Sequence, residues 1–280
     1  MIPSSTFIAC FITLFLSLIL PLLVLIIMGI KNKGKGIWSA WFLGAAGFFV
    51  SQVVIRIPLL GIVSGMESVV MFSQEHFFLY VLILAFTAGL FELAGRFAAA
   101  KCLGKNRTFR RSLAAGLGHG GIESIVLVGL TYINNLVYLF LIQSGAFDAM
   151  IAQTEAMGVD PAQLIAVRDT LLQVSAPLFL AAGVERVLTM VSHAAMSVMV
   201  CYGVAAKRPL PWMLLCLGMH TLLDTTIAAT GFFSQTIAYG IIYTCMTIMA
   251  VISIWILRKL SRRWPEAAAE PALAPEGGSV

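Results

Sequence analysis

Seven stretches of this sequence are apolar for long enough to cross a lipid bilayer: roughly residues 5–30, 37–62, 76–100, 112–141, 173–203, 210–231 and 236–257. A spanning helix needs about 20 mostly apolar residues. A segment in lipid must also satisfy its backbone hydrogen bonds internally, so each run reads as a helix. The chain is therefore expected to be all-α, a polytopic bundle of seven transmembrane helices over residues 1–264. The tail from 265 to 280, EAAAEPALAPEGGSV after Pro265, has no apolar periodicity and reads as disordered. The first run lacks a basic start and a small-residue cleavage site, so it reads as a retained helix rather than a signal peptide.

Charge fixes how the helices alternate. Only 11% of the 280 residues are charged, against roughly 25% in a soluble domain. The net charge of +5 comes from clusters between the apolar runs: Lys31, Lys33 and Lys35, then 101–111, then Lys207 and Arg208, then 258–263. The alternate connections hold Glu67 and Glu75, then Asp148, Glu155 and Asp160, then no charge. Positive residues stay in the cytosol, which predicts an outside N-terminus and a cytosolic C-terminus in a multi-pass membrane protein. This excludes a nucleic-acid partner for the basic charge. The expected partners are lipid and a membrane protein or peptide, with the oligomeric state left open. Five cysteines without CxxC spacing predict no disulfide framework.

The outer connection at about 142–172 contains Asp160-Pro161-Ala162-Gln163, which reads as an N-cap, a proline at the first helical position and a capping glutamine. A short interfacial helix is expected there.

An ionisable residue at a helix centre costs on the order of 2.5–3.5 kcal/mol on insertion scales and faces the bundle interior. This sequence places several at such depth: Glu92 and Arg96, His119 and Glu123, Glu185, Arg186 and His193, and His220 and Asp224. The first, second and last pairs are four residues apart, one helix face apiece. At about 1.5 Å per residue, Glu92, His119, His193 and His220 fall about 12–17 Å from the cytosolic ends. One shared cavity is the expectation. Glu123 reads as a general base for water, with His193 and His220 as donors and Asp224 orienting His220. Glu92/Arg96 and Glu185/Arg186 read as supporting ion pairs. His119, Glu123, His193 and His220 would alternatively hold a divalent metal such as zinc, although no HExxH motif is present. Arg56 reads as a snorkelling or paired side chain outside the site. The stretch Gly116 to Gly121 fits GxGxxG, but between a basic loop and a membrane helix it reads as a close helix contact at Gly116 and Gly120, leaving room beside His119 and Glu123.

GLGHGGIES (116–124), Glu185-Arg186 with His193, His220-xxx-Asp224 and FELAGR (91–96) together resemble the bacterial YhfC family of multi-pass membrane proteins. That family is similar to the CAAX protease and bacteriocin-processing group, to the PrsW proteases and to the multi-pass scaffold subunit of γ-secretase. The resemblance implies intramembrane peptide hydrolysis within a helical core. It places Glu123 as the catalytic glutamate, His193 as the second-motif histidine and His220 with Asp224 as the last motif. The sequence differs from the wider group in having Ile122 before Glu123 and Thr189 four residues before His193. An intramembrane peptidase, glutamic or metal-dependent, is thus the expected activity. A midplane small-solute transporter and a non-catalytic membrane scaffold are the alternatives.

Overall fold

A computed structural model describes residues 1–264, and the tail expected to be disordered lies outside them. Seven helices are long and apolar enough to cross a membrane: α1 (Ser4–Lys31), α2 (Ile37–Val63), α4 (Phe77–Cys102), α5 (Phe109–Ser144), α8 (Ala176–Ala205), α9 (Pro209–Gly231) and α10 (Gln235–Arg263). Three shorter helices lie between them: α3 (Glu67–Glu75), α6 (Ala146–Ala156) and α7 (Ala162–Gln173). The described residues contain no strand. Each spanning helix agrees with its apolar run to within a few residues. The runs are long because lipid, unlike water, rewards apolar side chains on every face.

The connection at 142–172 holds two helices where one was expected. Gly145 turns the chain between α5 and α6 with φ +78°, a conformation that favours glycine. The second helix begins at Ala162, whose N–H donates to Asp160 Oδ1 (2.9 Å). The N-cap is therefore Pro161 rather than the expected Asp160, whose carboxylate still accepts from the first helical N–H.

Helix α8 is the centre of the bundle. Its membrane window is 72% buried, against 17–33% for the other six, and it touches α1, α4, α5, α9 and α10. Small residues allow this. A Cβ on Gly116 of α5 would lie 2.7 Å from Ala194 Cα, and one on Gly120 would lie 2.9 Å from His193 Cβ, so both glycines are needed for α5 to meet α8. The space beside them is filled by α8 and does not belong to a cavity, contrary to the sequence expectation. Gly118 and Gly44 do the same between α5 and α2, where Trp41 and Ala115 backbone atoms lie against them.

The basic connections share one end. Arg110 donates to Asn32 Oδ1, and Trp264 donates to the Arg107 carbonyl (3.0 Å), drawing together the ends of α1 and α10 and the start of α5. At the opposite end the Ile2 N–H donates to Gln143 Oε1 (2.7 Å). Ile8, Phe42, Phe140, Leu222 and Val251 point outward, as lipid requires of a chain that has no water to avoid at mid-height.

Helices α1, α2 and α5 each loosen into a π-helical stretch at mid-membrane: Phe15–Ile19, Phe49–Arg56 and Ser124–Gly129. Such stretches concentrate at functional sites. Here they separate two kinds of packing. Before them, α2 and α5 are tightly joined. Beyond them, the Phe49–Val63 half of α2 rests on α4 and makes at most marginal contact with α5.

Candidate active site

A carboxylate buried in a membrane protein gathers donors, and Glu92 of α4 gathers four, with a third imidazole close by. Its Oε2 lies 2.8 Å from Arg96 NH2 one turn below, 3.0 Å from His119 Nε2 of α5 and 2.9 Å from His220 Nε2 of α9. His193 Nδ1 of α8 is 3.5 Å from the same oxygen. Gln52 of α2 donates to Oε1 (3.0 Å) and also to the Ala88 carbonyl. Glu92 is 4% exposed and Arg96 2%. A pair so deep is costly unless its remaining lone pairs are filled, and the imidazoles fill them. Sequence reading made Glu92 a structural partner of Arg96. It is that, and also the hub of the cluster.

His193 joins this hub to a second one. Arg96 donates to its Nδ1, which assigns the remaining proton to Nε2, 3.0 Å from Glu123 Oε2. Glu123 Oε1 accepts from Arg186 NH1 (3.1 Å), and Arg186 also pairs with Glu185. The expected same-face pair His119/Glu123 does not meet. His119 is drawn across to Glu92 and stacks on His193, while Glu123 turns to α8. The pair His220/Asp224 holds, with Nδ1 3.2 Å from Oδ2, so both ring nitrogens of His220 face carboxylates. By helix rise the four residues placed at one depth lie about 15–18 Å from the basic ends of their helices.

A cavity of about 400 Å³ meets this cluster on one side. Glu92, Glu123, His193, His220 and Asp224 line it, while His119 and Arg96 stand behind them. Its other walls include Gln52, Arg56, Glu185, Arg186 and Thr189. Arg56, Leu127, Glu185 and Ile242 all lie on the side of the cluster facing away from the basic connections. The cavity thus lies on the side of the cluster away from the basic connections.

Gln52 and Arg56 are the site residues that sequence reading missed. Glutamine carries no charge and escapes a search for ionisable groups. The available signal was the spacing: two strongly polar residues four apart on a membrane helix share a face.

Ligand atoms of Glu92, His119 and His193 all lie within 4.8 Å of one another. Zinc ligands at about 2.0–2.1 Å in a tetrahedron stand roughly 3.4 Å apart, close to the 3.0 and 3.5 Å separations of Glu92 Oε2 from the two imidazoles. Imidazole and carboxylate donors suit a divalent ion, so the residues fit. The converging carboxylate is Glu92 rather than Glu123, which lies on the far nitrogen of His193. A metal there would take its ligand atoms from Arg96, which touches the same Glu92 oxygen and the same His193 nitrogen.

Comparison with known proteins agrees with this picture. No solved structure matches the chain. The uncharacterized membrane protein YhfC of Bacillus subtilis (strain 168) is 26% identical over 240 residues, 85% of this chain and 90% of that protein. The model of the YhfC intramembrane metalloprotease family matches residues 16–253, from α1 into α10 and across every residue of the cluster. This multi-pass membrane protein therefore belongs to the YhfC intramembrane metalloprotease family.

Proposed function

We propose that the chain is an intramembrane peptidase that hydrolyses a peptide bond at the Glu123–His193–His220 face of the cavity. The observation that carries this reading is the convergence of the Glu92, Glu123 and Asp224 carboxylates and two imidazoles on one cavity enclosed by membrane helices. Glu123 is anchored through Oε1 by Arg186, while its buried Oε2 has no aligned hydrogen-bond donor. That oxygen accepts the proton of a water, whose oxygen adds to the scissile carbonyl carbon. His193 Nε2 lies 3.0 Å from this oxygen without aligning on it, so the oxygen stays free to take the proton. His220, oriented by Asp224, exchanges its Nε2 contact with Glu92 for the carbonyl oxygen as that becomes an oxyanion, a contact strengthened by the absence of bulk water. The C–N bond then breaks, and the proton taken by Glu123 passes to the leaving amine. Should a divalent metal be bound, Glu92, His119 and His193 would hold it, and it would supply Lewis-acid activation of the water.

The test is Glu123→Gln, which keeps the shape and the Arg186 contact but removes the base. The purified variant, reconstituted in liposomes with single-span reporter peptides, is expected to lose at least about 100-fold in turnover, as removal of a general base commonly does. Its unfolding midpoint should stay within a few degrees of the parent protein. Undiminished turnover would take Glu123 out of the chemistry. A cluster that matters for stability while no reporter is cleaved by either protein would leave the scaffold reading standing.

A further inference from the structure

Among the described residues, Arg56 alone of the arginines near the cluster has no carboxylate within ion-pair distance. Arg96 pairs with Glu92, and Arg186 pairs with Glu123 and Glu185. Arg56 instead makes neutral bonds: NH2 to the Leu84 carbonyl (2.7 Å) and Thr87 Oγ1 (3.3 Å), and NH1 to Gln52 Oε1 (3.2 Å). Its Nε is buried without a partner. It lines the cavity from the half of α2 that stands off α5, one turn beyond Gln52. A guanidinium in a membrane segment is expensive unless neutralised or put to use.

Resting on the peptidase reading, we propose that Arg56 is a specificity-determining residue that receives a carboxylate of the substrate. The anion is an acidic side chain or a free C-terminus on a peptide segment entering between α2 and α5. Guanidinium suits a carboxylate because its fork can give two parallel hydrogen bonds, and the neutral acceptors now held by Arg56 are weaker partners. Gln52 supplies the register. It receives Arg56 on its carbonyl oxygen and donates its amide to Glu92, so one side chain separates the anion site from the cluster. An extended peptide advances about 3.5 Å per residue. In this proposal the carboxylate at Arg56 stands about two residues from a scissile bond held at Glu123 and His193. The exposed Ile57 and Leu127 flank the opening on the two helices, which suits the apolar remainder of such a segment.

The experiment uses the full chain in liposomes and three single-span reporters that differ at one position, two residues from the cleaved bond: Glu, Gln or Lys. Both cleavage and light-induced cross-linking of the reporter are measured. The parent protein is expected to prefer the Glu reporter over the Gln reporter by about 10- to 100-fold in kcat/KM, the range for a hydrogen bond to a charged group. Arg56→Gln should abolish that preference mainly through KM. Arg56→Glu should turn the preference toward Lys. Equal cleavage of Glu and Gln reporters by the parent protein overturns the proposal. So does an Arg56→Gln protein that loses all reporters equally and unfolds more easily, since that marks a structural arginine. Cross-linking that depends on Arg56 and on Glu, without any cleavage, supports the anion site and removes the peptidase reading instead.

Discussion

Replacing Glu92 by glutamine is the most severe test of the cluster as a folding element. The substitution preserves volume and changes only charge and hydrogen-bond character. Four donors from three other helices and its own turn approach this carboxylate at 2.8–3.0 Å, with His193 slightly further away at 3.5 Å. Arg96 behind it is 2% exposed, and its Nε and NH1 are already without partners. Removing the carboxylate leaves that guanidinium uncompensated in a site it cannot leave. Losing one member of a buried pair costs about 3–5 kcal/mol, a third or more of the stability of a typical domain. The hydrogen bonds do not add further in full, because three of them share one oxygen. Arg96→Met in the same chain removes the stranded charge, and apolar replacement of a whole buried pair is often close to neutral. The double variant Glu92→Gln/Arg96→Met is therefore expected to recover at least about 2 kcal/mol relative to Glu92→Gln alone. Reversible unfolding in mixed micelles, titrated with a denaturing detergent, reads both numbers. A loss below about 1 kcal/mol for the single change, within the range of an inconsequential surface substitution, would refute the hub. A double variant no better than the single one would refute its electrostatic origin.

Three further outcomes follow from the same geometry. Gly116→Ala forces a Cβ against the Ala194 backbone and should destabilise by about 1–3 kcal/mol. Gly218→Ala, which meets nothing within 4 Å, should be neutral or slightly stabilising, and equal effects would refute the α5–α8 contact. Elemental analysis of protein purified without chelator should find up to one divalent ion per chain, reduced in His119→Ala and in His193→Ala. Activity with no metal would leave the glutamic mechanism alone. Cys102 is an exposed native thiol at the basic end. In intact cells a membrane-impermeant maleimide should fail to label it and should succeed after permeabilisation, and labelling from outside would invert the topology.

The spans were legible because bilayer thickness imposes a length that apolar runs display directly, and the alternation of basic and acidic connections made the count odd. The glycines of 116–121 announced a close helix approach, but not which neighbour would fill the space. That depends on where Ala194 and His193 sit along α8, a matter of relative shift between helices that no local pattern encodes. The same limit governs the charged pairs. Spacing of four identified Glu92/Arg96 and His220/Asp224, where both partners stay on one helix. It misassigned His119/Glu123, because each of those side chains finds a stronger partner across an interface: Glu92 for the histidine, Arg186 and His193 for the glutamate. Depth counting brought Glu92, His119, His193 and His220 to one level without showing that Glu92 is the point where they meet. Gln52 went unnoticed because hydropathy scoring looks for charge, whereas a bilayer penalises an unsatisfied amide as well.

The cluster has two faces, and they answer different questions. The rear face, Glu92 with Arg96 and His119, is nearly closed and ion-paired, and helix packing alone would account for it. The front face would not be built for packing alone. There Glu123 keeps an oxygen without an aligned donor, Asp224 is part-exposed, and Arg56 has no carboxylate within ion-pair distance among the described residues, all on a cavity of about 400 Å³. A scaffold gains by pairing every charge and filling every void, since unpaired buried groups and empty space both cost stability. Leaving these three groups open beside a void, on the side where α2 stands away from α5, trades stability for access. Such a trade is favourable to a protein only when something enters, which is why the argument for chemistry rests on the cavity wall rather than on the number of charges behind it.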